Sequence, residues 1–240
     1  MKINRLLILC ALAALVAGSA CTKKEGGDNR LVILHTNDTH SQIVPGNDNL
    51  GGVMRRKAII DSVRNAEKNV LLVDAGDAVQ GTLYFYLYGG KVEQEVMNIL
   101  GVEARILGNH EFDNGIDSLA AVLKYSDAEM LSANYDLSQT PLAGRFKPYT
   151  IKEYGGKRIG IIGINLDPNG IISPDNFKGL EYLPIVATAN LTAEKLKGEG
   201  TGCLPQEKLS LFLHLFSQFS KGNLHRGQRR VLQLLYLAHR

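Results

Sequence analysis

The chain has 240 residues, of which 45% are apolar and 21% are charged, and this balance is typical of a globular protein and excludes a coiled coil. Residues 21 to 199 carry 19 basic and 23 acidic side chains, so the net charge of +3 arises at the chain ends and argues against a nucleic-acid polymer as partner. The 3 cysteines are too few for a disulfide framework and include no CxxC pair.

The first 20 residues have the pattern of a secretory signal peptide. Lys2 and Arg5 precede an apolar run from Leu6 to Val16 that is too short to span a membrane as a helix. Small residues and then Cys21 follow, which resembles a bacterial lipobox and predicts a lipid anchor on Cys21. Residues 21–30 would then form a tether. The alternative is a periplasmic protein cleaved near Ala20, and both readings predict an exported protein.

Residues 31–107 alternate between strand and helix patterns, although polar loops interrupt them. The predicted elements are a strand over Leu31–Thr36, an amphipathic helix over Gly52–Glu67, a strand over Val70–Asp74, helices over Thr82–Tyr88 and Val92–Leu100, and a strand over Ala104–Leu107. This alternation is typical of βαβ units with parallel strands.

The pattern continues to about residue 197. It predicts a helix over Ile116–Tyr125, a strand over Glu129–Ala133, a hairpin formed by Tyr149–Tyr154 and Lys157–Ile164, and a helix over Thr188–Lys197. The sequence therefore predicts an α/β fold class, with a central sheet and helices on both of its faces.

Three predicted strands are each followed by a loop that carries metal-ligand side chains. Asp38 and His40 follow the first strand, Asp77 follows the second, and Asn109 and His110 follow the third. The carboxyl ends of parallel strands meet at one sheet edge, so we expect these side chains to converge there. Asp38 and His40 are two residues apart, and in an extended segment they would face the same side. Mixed oxygen and imidazole donors suit Mn, Zn, Fe or Co.

Three sequence blocks give a family resemblance. LHTNDTH, VDAGDAVQGT and GNHEFDNG resemble the metal-binding blocks of the calcineurin-like metallophosphoesterases, specifically the N-terminal catalytic domain of the 5′-nucleotidase family. The resemblance covers residues 31–197, which we assign to a metallophosphoesterase domain. It implies a phosphoester hydrolase that releases phosphate from nucleotides.

The resemblance also implies a role for each site residue. Asp38 and His40 would bind one divalent ion, Asn109 a second, and Asp77 would bridge both. His110 would be the catalytic histidine and Asp113 the acid that orients it. Two such ions would neutralise phosphate oxygens and lower the pKa of a bridging water that attacks phosphorus.

Residues 198–240 depart from the family pattern. They lack the later histidine ligands of a Gly-His-x-His block, contain no Asp, and give no β/α alternation; His214, His225 and His239 are the histidines present. We therefore expect a domain that is incomplete at its C-terminus, followed by a tail that is either naturally divergent or the product of a frameshift. A nucleoside-binding domain would lie outside this sequence. The alternative to an active hydrolase is a catalytically incompetent fragment that keeps the first half of the metal site and at most binds a single ion or a partner.

Overall fold

The central sheet is mostly parallel and has five strands. The computed structural model describes residues 30–199, 211–213 and 233–237. The strand order is β10-β1-β2-β3-β4, formed by Gln233–Leu237, Leu31–Thr36, Val70–Asp74, Ala104–Arg105 and Glu129–Met130. Strands β1 to β4 pair in parallel, and β10 pairs antiparallel with β1. The predicted α/β class is confirmed.

Five α-helices occur among the described residues. They are α1 (Val53–Ala66), α2 (Leu83–Tyr88), α3 (Lys91–Leu100), α4 (Gly115–Leu123) and α5 (Ile185–Gly198). Two 3-10 helices cover His110–Phe112 and Pro174–Phe177. Helix α2 begins where the Thr82 hydroxyl caps the backbone N–H of Tyr84, and it ends at Gly89 with φ 62°.

Alternating side chains of β1 fill two cores, one on each face of the central sheet. Leu31 and Ile33 pack in a cluster with Leu119 and Leu123 of α4. Val32 and Leu34 pack in a second cluster with residues of α1 and α3, including Ile60, Met97 and Leu100. Helices therefore lie on both faces, and burial of these cores fixes the register of the strands whose ends carry the site.

The described residues also form two smaller sheets. Strands β6 (Tyr149–Tyr154) and β7 (Lys157–Gly163) form the predicted hairpin, and Leu196 of α5 packs with Ile162 and Ile164. Strands β5 (Tyr135–Asp136) and β8 (Glu181–Tyr182) pair antiparallel in a small separate sheet. The sequence pattern did not predict β5 or β8.

Two short segments of the tail contribute strands. Strand β9 (Leu211–Leu213) pairs in parallel with β7, and β10 supplies the edge strand beside β1. The boundary assigned at residue 198 stays a prediction. The assigned signal peptide, Cys21, and the histidines His214, His225 and His239 lie outside the described residues, as does the tether except for Arg30. None of the helices in the described part of the chain is long and apolar enough to cross a membrane.

Candidate metal centre

Asp38, His40, Asp77 and Asn109 lie in loops at one edge of the central sheet, and His110 begins the 3-10 helix that follows Asn109. Asp38 and His40 follow β1, Asp77 follows β2, and Asn109 and His110 follow β3. These three strands are adjacent and parallel, so their carboxyl ends open onto the same edge.

Backbone hydrogen bonds hold the first two loops against each other. The N–H groups of Asp38 and His40 donate to the carbonyls of Gly76 and Asp77, each at 3.0 Å. The Ser41 N–H donates to the carbonyl of Ala78 at 2.9 Å. The position of His40 relative to Asp77 is therefore set by main-chain contacts and does not depend on side-chain packing alone.

Three site residues adopt left-handed backbone conformations. The φ angles are 51° at Asp38, 43° at His40 and 52° at Asp77. The prediction that Asp38 and His40 lie in an extended segment is therefore wrong, because loop-to-loop hydrogen bonds impose a turn. The turn still brings the two side chains near each other, with 3.9 Å between Asp38 Oδ1 and His40 Nε2. Such conformations are uncommon outside glycine and concentrate at functional sites.

Three donors converge closely enough to share a cation. One ligand atom each from His40, Asp77 and His110 lies within 4.8 Å of the other two. The rings of His40 and His110 meet edge to face, with centroids 5.1 Å apart. Asn109 is half-buried and directly precedes His110. One carboxylate and two imidazoles are a donor set that fits a divalent transition metal.

The electrostatics around Asp77 also favour a cation. Burial raises the pKa of this carboxyl to about 7, with further contributions from the negative charges of Glu111 and Asp38, although the His110 N–H bond lowers it. A buried carboxylate whose ionisation is this costly is stabilised in its charged form by a positive charge in contact with it. The geometry and the charge therefore both fit a bound divalent ion.

His110 and Asp113 form a hydrogen-bonded pair. Nδ1 of His110 lies 2.9 Å from Oδ2 of Asp113. Burial lowers the pKa of His110, but the Asp113 hydrogen bond and the charge of Asp77 outweigh it and raise the pKa above its ordinary value. Since Nδ1 is engaged by the carboxylate, Nε2 is the ring nitrogen left for a ligand or a proton.

The comparison with known families agrees with this geometry. The profile of the calcineurin-like phosphoesterases matches residues 31–235. The chain belongs to the calcineurin-like phosphoesterase family. The match begins at β1 and includes all three loops described above, so the family assignment rests on the part of the chain that carries the site.

Several relatives of this chain within the calcineurin-like phosphoesterases are 5′-nucleotidases. The human 5′-nucleotidase is 39% identical over 171 residues, which are 65% of this chain and 29% of that protein. The NAD 5′-nucleotidase of Haemophilus influenzae is 34% identical over 207 residues, or 80% of this chain and 34% of that protein. The crystal structure of a Thermus thermophilus 5′-nucleotidase precursor superposes with a TM-score of 0.67 at 35% identity, covering 77% of this chain and 37% of that one. The chain thus spans about a third of these relatives.

Sequence reasoning missed one residue of this calcineurin-like phosphoesterase site. Glu111 is 6% exposed and accepts hydrogen bonds from the backbone N–H groups of Asp77, Ala78 and Gly108. Its place between His110 and Phe112 in the third block was the available signal. That position could not predict which groups Glu111 binds. Its three hydrogen-bond donors come together only because two loops about 30 residues apart in the chain approach each other.

Proposed function

We propose that the protein is a metal-dependent phosphoester hydrolase that releases phosphate from nucleotides. The observation that carries the proposal is the convergence of His40, Asp77 and His110 within 4.8 Å at the carboxyl edge of a parallel sheet, which brings two proposed metal ligands together with the proposed catalytic histidine. Family membership and the 5′-nucleotidase relatives support the reaction class.

Each loop has an assigned role in this proposal. Asp38 and His40 hold the first ion, Asn109 holds the second, and Asp77 holds both. Two such ions, for which the donor types suit Mn, Zn, Fe or Co, would supply charge neutralisation for the phosphoryl oxygens and an activated water. Asp77 suits the shared position because its buried carboxylate is costly to ionise without cations beside it.

His110 and Asp113 act on the phosphoryl group. Asp113 engages Nδ1 and orients the ring, which leaves Nε2 to stabilise developing charge or to donate a proton to the leaving oxygen. The raised pKa of His110 favours its protonated form. We expect His110→Ala to lower turnover by about 100-fold or more while leaving the metal content nearly unchanged. Equal loss of metal, measured by mass spectrometry of the bound element, would make His110 a ligand.

The central test is phosphate release from AMP with excess Mn²⁺ or Zn²⁺. We expect release by the wild type and none above background with Asp77→Ala, because that change removes the carboxylate shared by both ions. Asp136→Ala, which removes an exposed carboxylate on β5, is the matched control and should retain activity. Absence of metal-dependent hydrolysis of AMP, a nucleotide sugar and a cyclic phosphodiester alike, with phosphate release followed for AMP and monoester formation for the other two, would contradict the proposal.

A second candidate is a protein that binds one ion and does not turn over substrate. The observation that favours it is that the described residues contain a single cluster of three His, Cys, Asp or Glu donors. Ion stoichiometry separates the two candidates, because hydrolysis by the proposed route needs two ions.

We further propose that the protein is exported and is either anchored through lipid on Cys21 or periplasmic. The signal-peptide pattern of residues 1–20 supports export. Mass spectrometry of the mature N-terminus decides between the two forms, since a diacylglycerol adduct on Cys21 is expected only for the lipoprotein.

A separate nucleoside-binding domain would supply base recognition.

A further inference from the structure

The carboxylate of Glu111 joins two of the site loops. Its Oε2 accepts from the N–H of Asp77 at 2.9 Å and from the N–H of Gly108 at 2.6 Å. Its Oε1 accepts from the N–H of Ala78 at 2.9 Å. Asp77 and Ala78 follow β2, whereas Gly108 follows β3, so a single side chain links backbone groups from both loops.

The two loops are in direct backbone contact at this point. A Cβ atom on Gly76 would lie 2.3 Å from the nitrogen of Gly108, and one on Gly108 would lie 2.1 Å from Oδ1 of Asp77. The contact leaves no space for a side chain at either glycine. Without Glu111 the three N–H donors would be buried and unsatisfied, which is costly for each group.

A further hydrogen bond joins the same two loops, and in this one the loop after β3 supplies the donor. The N–H of His110 donates to Oδ1 of Asp77 at 3.0 Å. Asp77 is therefore held at its backbone by Glu111 and at its side chain by the loop that carries His110. Together these bonds fix the separation of two of the three converging donors.

We infer that Glu111 is a positioning residue that sets the geometry of the metal centre by holding the Asp77 and Gly108 loops together. Its relevance to metal binding rests on the proposed function. Glu111 is not one of the three converging donors, and it acts through Asp77 and His110. Partners of this kind set the orientation of metal ligands, and their loss costs about 10- to 100-fold in metal affinity.

Two substitutions separate this role from that of a buried negative charge. Glu111→Asp keeps the charge but is one methylene shorter, so it cannot reach all three N–H groups. Glu111→Gln keeps the length but turns a donor group towards at least one of them. A positioning role predicts that both variants are impaired, whereas a purely electrostatic role predicts that Glu111→Asp resembles the wild type. Glu129→Gln, which removes a hydrogen-bonded carboxylate on β4, is the control.

The first measurement is amide hydrogen exchange in the metal-free, full-length chain. We expect the amides of Asp77, Ala78 and Gly108 to be protected in the wild type and to exchange about tenfold faster or more in Glu111→Asp, because the shorter carboxylate leaves buried N–H groups without their acceptor. In Glu111→Asp, the exchange rates of the core amides of β2 should match those of the wild type. In Glu129→Gln, the exchange rates of all amides near the site should do so. Fast exchange of the three amides in the wild type would overturn the inference without any variant.

The second measurement is titration with Co²⁺ followed by its visible absorption, which reports coordination geometry. We expect both Glu111 variants to bind Co²⁺ about 10- to 100-fold more weakly and with an altered spectrum, and Glu129→Gln to match the wild type. Wild-type affinity and spectrum in Glu111→Asp would overturn the inference. A wild type that binds no Co²⁺ would contradict the proposed metal site, while the exchange measurement still decides whether Glu111 holds the loops.

Discussion

Gly108 lets Asp77, a proposed metal ligand, approach the loop after β3 because it has no side chain. A Cβ atom there would lie 2.1 Å from Oδ1 and 2.5 Å from the backbone nitrogen of Asp77. Because one of these atoms is backbone, a side-chain rotation cannot relieve the clash. We expect Gly108→Ala to reduce the free energy of unfolding by about 1–3 kcal/mol or more and to weaken metal binding, as measured by urea denaturation and Co²⁺ titration.

Gly198→Ala is the control for that substitution. Gly198 is the last residue of α5, and a Cβ atom there would meet nothing within 4 Å. Its free energy of unfolding should lie within about 0.5 kcal/mol of the wild type, as for other substitutions at open positions. Equal stability and metal affinity in Gly108→Ala and Gly198→Ala would contradict the close approach of the two loops.

The ligand-bearing loops could be predicted from the sequence, but the conformation of those loops could not. A polar residue after a buried strand is a local pattern, so Asp38, Asp77 and His110 were identified directly. The left-handed turn at Asp38 and His40 depends on hydrogen bonds to the β2 loop, and the role of Glu111 depends on the same approach. Such contacts are set by tertiary structure and leave no periodic signal in the chain.

At the scale of elements, the strands of five or more residues within residues 30–199 could be predicted more accurately than the two-residue strands. Strands β1 and β2 have the predicted bounds, whereas the third strand is Ala104–Arg105 and not the longer Ala104–Leu107. The apolar run continues to Leu107, but the chain turns beyond β3 to bring Gly108 against Asp77. The two-residue strands β5 and β8 are defined by pairing between distant segments, which a local pattern cannot encode.

Glu129 links the central sheet to the hairpin sheet. This β4 carboxylate accepts hydrogen bonds from Lys147 at 3.0 Å and from Lys152 of β6 at 2.6 Å. Burial acts to raise the pKa of Glu129, but the Lys152 and Lys147 hydrogen bonds outweigh it and lower the pKa from 4.5 to about 2. The folded state thus favours the ionised form, and this contribution to stability is present above about pH 4.5 and is lost as the pH falls towards 2.

We therefore expect Glu129→Gln to be less stable than the wild type at pH 7 by about 1 kcal/mol or less, because ion pairs of partly exposed groups contribute little. That corresponds to a fall in melting temperature of about 2–4 °C at most. The difference should shrink as the pH is lowered from 5 to about 2 in paired thermal melts. A difference that grows on acidification would mean that the wild-type carboxylate is not stabilised by the two lysines.

At the scale of the whole molecule, the segments after residue 199 join sheets formed by the preceding domain. Strand β9 extends the hairpin sheet, and β10 pairs with β1, the strand that leads to Asp38 and His40. The composition of residues 198–240 gave no β/α alternation, and the sequence did not predict these pairings. An edge strand can pair through its backbone whatever its side chains, so composition is a weak guide to such contacts.

The number of ions that the 240-residue chain binds follows from the donors around the site. Asp38, His40 and Asp77 can give the first ion three protein ligands, whereas the second has the shared Asp77 and the neutral amide of Asn109. Two oxygen donors leave most of the coordination sphere of the second ion to water. We therefore expect one tightly bound Mn²⁺ per chain and a second Mn²⁺ that is retained only at excess metal. Hydrolysis of AMP should be negligible at one equivalent of Mn²⁺ and should rise only as the second ion binds.

Calorimetric titration and metal analysis after gel filtration measure the occupancies of both ions. Two retained ions with robust turnover at stoichiometric metal would show that residues beyond the described ranges, with His214, His225 and His239 the first to test, complete the second site.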